Sequence, residues 1–170
     1  QTGGGVQHRQ HLRVPHRGQR VGACPPSSWC SLRRQPVQTI EAPGAPPGLG
    51  HEPQAVKAGK FLFFSTVLPF NHRGSLEEST VRHPNFPYYG QPPKLQMRYM
   101  LDNVAKICEA AGTTLDQICR RQAFHDDFTY FAQTIEEWAD HFDSDKPAST
   151  TLEVGGPLLV PGAHVLLDLI

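Results

Sequence analysis

KLQMRYMLDNVAKICEAAGTTLDQICRRQAF, residues 94–124, is the stretch on which the fold turns. From Lys94 to Ala111 the residues Leu95, Tyr99, Met100, Val104, Ile107, Cys108 and Ala111 recur at steps of mostly three and four. That is the spacing of one face of an amphipathic helix. Gly112 is placed where a helix needs a C-terminal stop. Beyond it TTLDQICRRQAF reads as a strand, with Leu115, Ile118 and Phe124 as its core residues. A helix that runs straight into a strand is the centre of an α+β unit.

Working outward, QAVKAGKFLFFST (54–66) reads as two strands around a turn at Ala58–Lys60, with Phe61–Thr66 a buried central strand. Residues 79–93 hold four prolines and Tyr88 and Tyr89, and read as a long irregular loop. On the other side, Asp126 and Asp127 start a second helix with acids in its first turn. Its core stripe is Phe128, Phe131, Ile135, Trp138 and Phe142. Ser149–Val154 and Ala163–Ile170 close the unit as two strands. The order β-β-α-β-α-β-β implies a mixed sheet with both helices on one face, an α+β two-layer domain. Phe61–Ser65 is apolar on both faces, so the second face of the sheet is expected to be buried against another subunit.

The first 40 residues differ in kind. They hold six arginines, no acid and no sustained apolar period, a composition expected to stay disordered. A basic nucleic-acid arm and a transit peptide are the functional alternatives. We place the boundary at 1–41 for the tail and linker and 42–170 for the domain, with APGAPPGLG (42–50) as a Pro/Gly connection. Residues 41–170 carry 10 basic and 16 acidic residues, a net of −6, which argues against nucleic acid as the partner. No apolar run reaches the ~20 residues of a membrane helix, and a cytoplasmic protein is expected. Cys108 and Cys119 are expected to be small buried hydrophobes, and no Cys/His set has zinc spacing. The ends at Gln1 and Ile170, the latter inside an apolar run, suggest a piece of a longer protein.

Four stretches in order resemble the reactive intermediate deaminase (Rid/YjgF) family: QAVKAGKFLFFST, LDNVAKICEAAGTTLDQI, FTYFAQTIEEWADHF and KPASTTLEV…VPGAHVLLDLI. The resemblance covers residues ~50–170. It implies a chorismate-mutase-like, YjgF-like fold, a homotrimer, and hydrolysis of enamines and imines such as 2-aminoacrylate without metal or organic cofactor. It also implies site residues. The family's PAR arginine, which grips a substrate carboxylate, falls at Ser149 of Pro147-Ala148-Ser149. A hydroxyl replaces neither the charge nor the fork of a guanidinium. The family's tyrosine near the domain start falls at Glu52, its glycine after the second strand at Thr66, and its asparagine of the second helix at Thr129. The acidic residue that positions the hydrolytic water is retained in kind as Asp168. The chain is therefore an atypical member on this resemblance.

Strand alternation alone groups Ser149, Thr151 and Glu153 on one face of their strand and His164, Leu166, Asp168 and Ile170 on one face of theirs, and we expect both sets on the side away from the helices. Asp168 interrupts the apolar run VLLDLI, so it is either paired at an interface or poised as a base. Thr151 and Ser149 are either solvated edge residues or substrate contacts. His125-Asp126-Asp127 lacks a third ligand set and reads as a helix start. Three functions compete: a cofactor-free imine or enamine hydrolase with an altered small-molecule substrate, a non-catalytic ligand-binding trimer, and a degenerate half of a tandem-domain protein.

Overall fold

The hairpin of residues 54–66 forms, and it gains a third strand in front of it. In the computed structural model, which describes residues 36–81, 85, 91–142 and 145–170, β1 (Val37–Ile40) pairs antiparallel with β2 (Ala55–Ala58), and β2 with β3 (Phe61–Phe64). This corrects the boundary drawn at 41. Ile40 is buried in the main core, and burying such a side chain is worth roughly 1.5–3 kcal/mol. Part of the Pro/Gly connection also belongs to the domain. Ala42 and Ala45 are buried, and the Gln54 amide donates to the carbonyls of Ala42, Ala45 and Pro46 at 3.1, 3.0 and 2.8 Å. One buried side-chain amide thus satisfies backbone groups of a turn that has no ladder of its own.

α1 (Pro92–Ala110) opens on two prolines, where the missing N–H groups cost nothing. It ends before Gly112, whose φ of 75° favours glycine. Its buried face holds Met97, Met100, Leu101, Val104, Ile107 and Cys108. A short 3₁₀ turn at Leu115–Gln117 leads into β4 (Arg120–His125). Asp127 then caps a further 3₁₀ turn, Phe128–Tyr130, its carboxylate accepting from the Thr129 N–H at 2.8 Å, and α2 (Phe131–Asp140) follows. Phe128 and Phe131, expected in the core stripe, are exposed, because the helix starts later and its apolar face is fixed by Trp138. Cys119, expected buried, is exposed, whereas Cys108 is buried and its thiol is pushed up to about 11 by desolvation.

β5 (Ala148–Glu153) and β6 (Val165–Leu169) complete a second sheet of order β5-β4-β6. The two sheets meet where Val67, just past β3, bridges Leu167 of β6 through two 2.9 Å hydrogen bonds. α1 packs on α2 and on β6, so both helices serve one layer. The result is the α+β two-layer fold that the order of elements implies. The other face of the sheet is open and apolar: Val37, Phe61, Phe63 and Leu152 are exposed, and the rings of Phe61 and Phe63 lie 6.3 Å apart. The Tyr88–Tyr89 segment and the cysteines of the tail, Cys24 and Cys30, lie outside the described residues.

Candidate functional site

Residues level with one another in a sheet point the same way, so the strand register decides which candidate side chains meet. β4 lies between β5 and β6, parallel to the first and antiparallel to the second. Arg121 is level with Ser149 and Leu169, Ala123 with Thr151 and Leu167, and Gln122 with Thr150 and Asp168. Ser149 and Thr151 therefore belong to the helix-covered face, and Asp168 to the open face. The expectation that they share the open face is corrected. Alternation within β5 says which residues go together but not which set faces the helices, since β5 is exposed along almost its whole length.

Asp168 is exposed in the middle of a strand whose flanking residues, Leu167 and Leu169, are fully buried. With its amide oriented to satisfy both neighbours, Gln122 donates to Asp168 Oδ2 at 2.9 Å and accepts from Arg120 at 3.1 Å. The carboxylate is thus held through one of its oxygens. The Val67–Leu167 bridge puts Thr66 level with Asp168 on the far side. Thr66, Asp168, Gln122 and Thr150 form one polar row across the open face, beside Arg120. Thr66 also borders a small pocket with Ala45, Leu68, Phe70 and Asn103.

The remaining expected residues lie apart from that row. Ser149 is exposed at the β5 edge, and Thr151 accepts a 3.1 Å hydrogen bond from Arg121. Thr129 is exposed in the turn before α2, its N–H committed to Asp127. Glu52 is exposed and accepts from the Gly50 N–H at 3.2 Å; backbone hydrogen bonds hold its carboxyl below the usual range. Among the described residues no hydrogen bond or ion pair joins Thr129 or Glu52 to Asp168.

Two groups escaped the sequence. His164 Nδ1 lies 3.0 Å from Asp126 Oδ2, with the Tyr130 ring 4.4 Å from the imidazole. The pairing arises because the end of β4 runs beside the start of β6, where Asp126 N–H meets the His164 carbonyl. The other is Arg121, buried under Trp138. Arg120-Arg121 at the start of an alternating strand was its signal, because one of two consecutive residues must face inward. A cleft of about 470 Å³ opens at the end of the sheet between β3 and the C-terminus of α1, lined by Lys57, Phe61, Phe64, Gly112 and Ile170 among others; it contains none of the expected site residues. Among the described residues no cluster of three or more His, Cys, Asp or Glu is arranged to hold a metal, and no helix is long and apolar enough to cross a membrane.

Comparison with known proteins agrees with the fold. The family model for endoribonuclease L-PSP matches residues 44–168. A RutC family protein of Pyrococcus horikoshii is 30% identical over 118 residues, covering 69% of this chain and 84% of the relative. The crystal structure of the Rid family protein YyfA from Yersinia pestis superposes with a TM-score of 0.65 at 27% identity, over 79% of this chain and 97% of that one. RidA from an Antarctic Psychrobacter gives 0.64 at 27% identity, over 78% and 96%.

Proposed function

The chain belongs to the Rid/YjgF family, and on that premise we propose that it is a cytoplasmic, cofactor-free hydrolase of imines or enamines whose substrate lacks the carboxylate that typical members grip. The observation that carries this reading is Asp168: an exposed carboxylate, held by Gln122, on an open apolar sheet face. Imine hydrolysis needs a water held and deprotonated beside the electrophilic carbon, and a carboxylate so placed can take that proton. Asp reaches one methylene less far than Glu, and a shift of about 1 Å in such a group costs on the order of a hundredfold.

At the other end of the substrate, Ser149 offers no charge. Arg120 shares the face of Asp168, but it is exposed and already donates to Gln122, so it is a poor substitute for a buried two-nitrogen grip. Within one chain Asp168 and Ser149 face opposite sides of the sheet, so a small substrate touching both requires two copies. The exposed Phe61, Phe63, Val37 and Leu152 supply an apolar surface for such an assembly, which we take to be a homotrimer. The net charge of −6 over residues 41–170 weighs against RNA as the substrate, whatever the family model is called.

The test is ammonia release from imines generated freshly by an amine oxidase, which carry no carboxylate, beside those generated by an amino-acid oxidase. The first set is expected to be turned over faster, and Asp168→Asn to slow it by about a hundredfold. Rapid turnover of iminopropionate that Asp168→Asn leaves untouched overturns the assignment.

A further inference from the structure

The cleft at the end of the sheet has a wall of unpaired backbone. Ser65 N–H donates to the Gln54 carbonyl at 3.0 Å, and from there the register sets Phe63 against Val56 and Phe61 against Ala58. Bonded pairs alternate along an antiparallel ladder, so Leu62 and Phe64 turn their N–H and C=O groups away from β2. β3 is the last strand of its sheet on that side. Among the described residues no backbone hydrogen bond reaches Leu62 or Phe64 there, and the two sheets join further along, at Val67 and Leu167. Facing β3 across the cleft are Ile118, Cys119 and Ile170. The Ile170 carbonyl takes the N–H groups of Cys119 and Arg120 at 2.9 and 3.2 Å. The cleft therefore prolongs the track of β6, with β3 on one side and the approach to β4 on the other. Two strands flanking such a track lie two strand spacings apart, roughly 9–10 Å, which is the width that one more extended chain needs.

The lining sets the chemistry of such a chain. Its floor is apolar, with Leu62, Phe64, Cys108 and Ile118. At the rim stand Lys57 and Lys60, and the lining side chains include no acid, although residues 41–170 carry a net charge of −6. Lys57 donates to the Ala111 carbonyl at 3.1 Å. Lys60 is exposed and has no ion pair among the described residues. The volume, about 470 Å³, matches that of ordinary ligand pockets, roughly 300–1,000 Å³. We propose that this cleft binds an extended apolar peptide segment of another protein, which adds as a strand to the free edge of β3 and sets an acidic side chain against Lys60. Main-chain hydrogen bonds to Leu62 and Phe64 supply affinity, and the apolar floor selects every second side chain of the segment. The cleft contains neither Asp168 nor Ser149, so the proposal is independent of imine hydrolysis.

Cys119 is exposed in the lining and Cys108 is buried, so alkylation of Cys119 by iodoacetamide, located by peptide mass mapping on the full chain, reads occupancy. The probe is a short peptide of alternating valine and threonine that ends in glutamate and is blocked at both termini. It is expected to slow the labelling of Cys119 as its concentration rises. Two further versions each have one set of alternate amides N-methylated, and at least one is expected to bind about tenfold more weakly, for the loss of its hydrogen bonds to β3. Lys60→Glu is expected to reverse the charge preference, so that a lysine-ended peptide protects better than the glutamate-ended one. Leu62→Pro removes a free-edge N–H without touching the ladder to β2, and is expected to lose the peptide. Should it not fold, the N-methylated peptides carry the test on the unaltered chain. Absence of protection overturns the proposal, as does equal protection by both N-methylated versions or by decanoate, which has the apolar tail and the charge but no amide. A preference that Lys60→Glu leaves unchanged also overturns it. So does a Cys119 that resists alkylation with no peptide present, because the slot is then filled by the chain itself or by a second copy.

Discussion

Glu137 and Arg121 are both 1% exposed, and they stand in opposite situations. The Glu137 carboxylate receives the Arg98 guanidinium through Nε and Nη2, with His141 Nδ1 3.9 Å away. That pair ties α1 to α2, and both carboxylate oxygens are engaged. Arg121 has one hydrogen bond and one aromatic ring. The difference shows that the depth of a charge says little about its role. What decides is whether the fold itself supplies the counter-charge. Where it does, the residue ties elements of the scaffold together; where it does not, the burial of the charge costs stability.

The comparison breaks most sharply at Arg98. Arg98→Ala strands the Glu137 carboxylate in the core, and it is expected to cost about 3 kcal/mol in urea unfolding, the low end for a broken buried pair because Arg98 itself is half exposed. A loss under half a kcal/mol would mean that water reaches Glu137. Arg121→Met is expected to act with the opposite sign. Removing an uncompensated buried charge while keeping the volume stabilises by about 1–2 kcal/mol in the same experiment without added anions. If it destabilises as much as Arg98→Ala does, Arg121 is scaffold and the contrast disappears.

The smallest effect concerns pH. Burial, and after it Arg121, holds the His125 ring below its ordinary pKa. As pH falls, the unfolded ring takes up its proton first, so this contribution to stability is complete above about 6.5 and declines on acidification. Arg121→Met removes the lesser cause, and the decline should become shallower. Urea midpoints from pH 7.5 to 5 in both proteins measure it; identical slopes would show that the two residues do not sense each other.

Much of the fold was legible because its signals are local. The 3.6-residue period of residues 95–108, the stop at Gly112 and the hairpin around Ala58–Lys60 depend on neighbours in sequence, and all three appear. β1 was missed because VQTI is four residues long, with only Ile40 buried, beside a stretch whose composition masks it. The buried stretch Ala42–Ala45 was hidden likewise, since what holds it is an amide twelve residues away.

The site was legible only as a set of residue types. Sequence by itself determined that a carboxylate interrupts VLLDLI, that position 149 has no cation, and that the chain is an α+β unit with an apolar second face. It also determined which residues of each strand go together, because side chains alternate with a period of two whatever the strand touches. Only the tertiary structure decided that β4 lies between β5 and β6, and with it that Asp168 and Ser149 look away from each other while Arg121 stands level with Ser149. Strand order is set by how helices cross over and pack, which is a property of distant contacts. A one-strand change of neighbour reassigns every cross-strand pair without altering a single residue's periodicity.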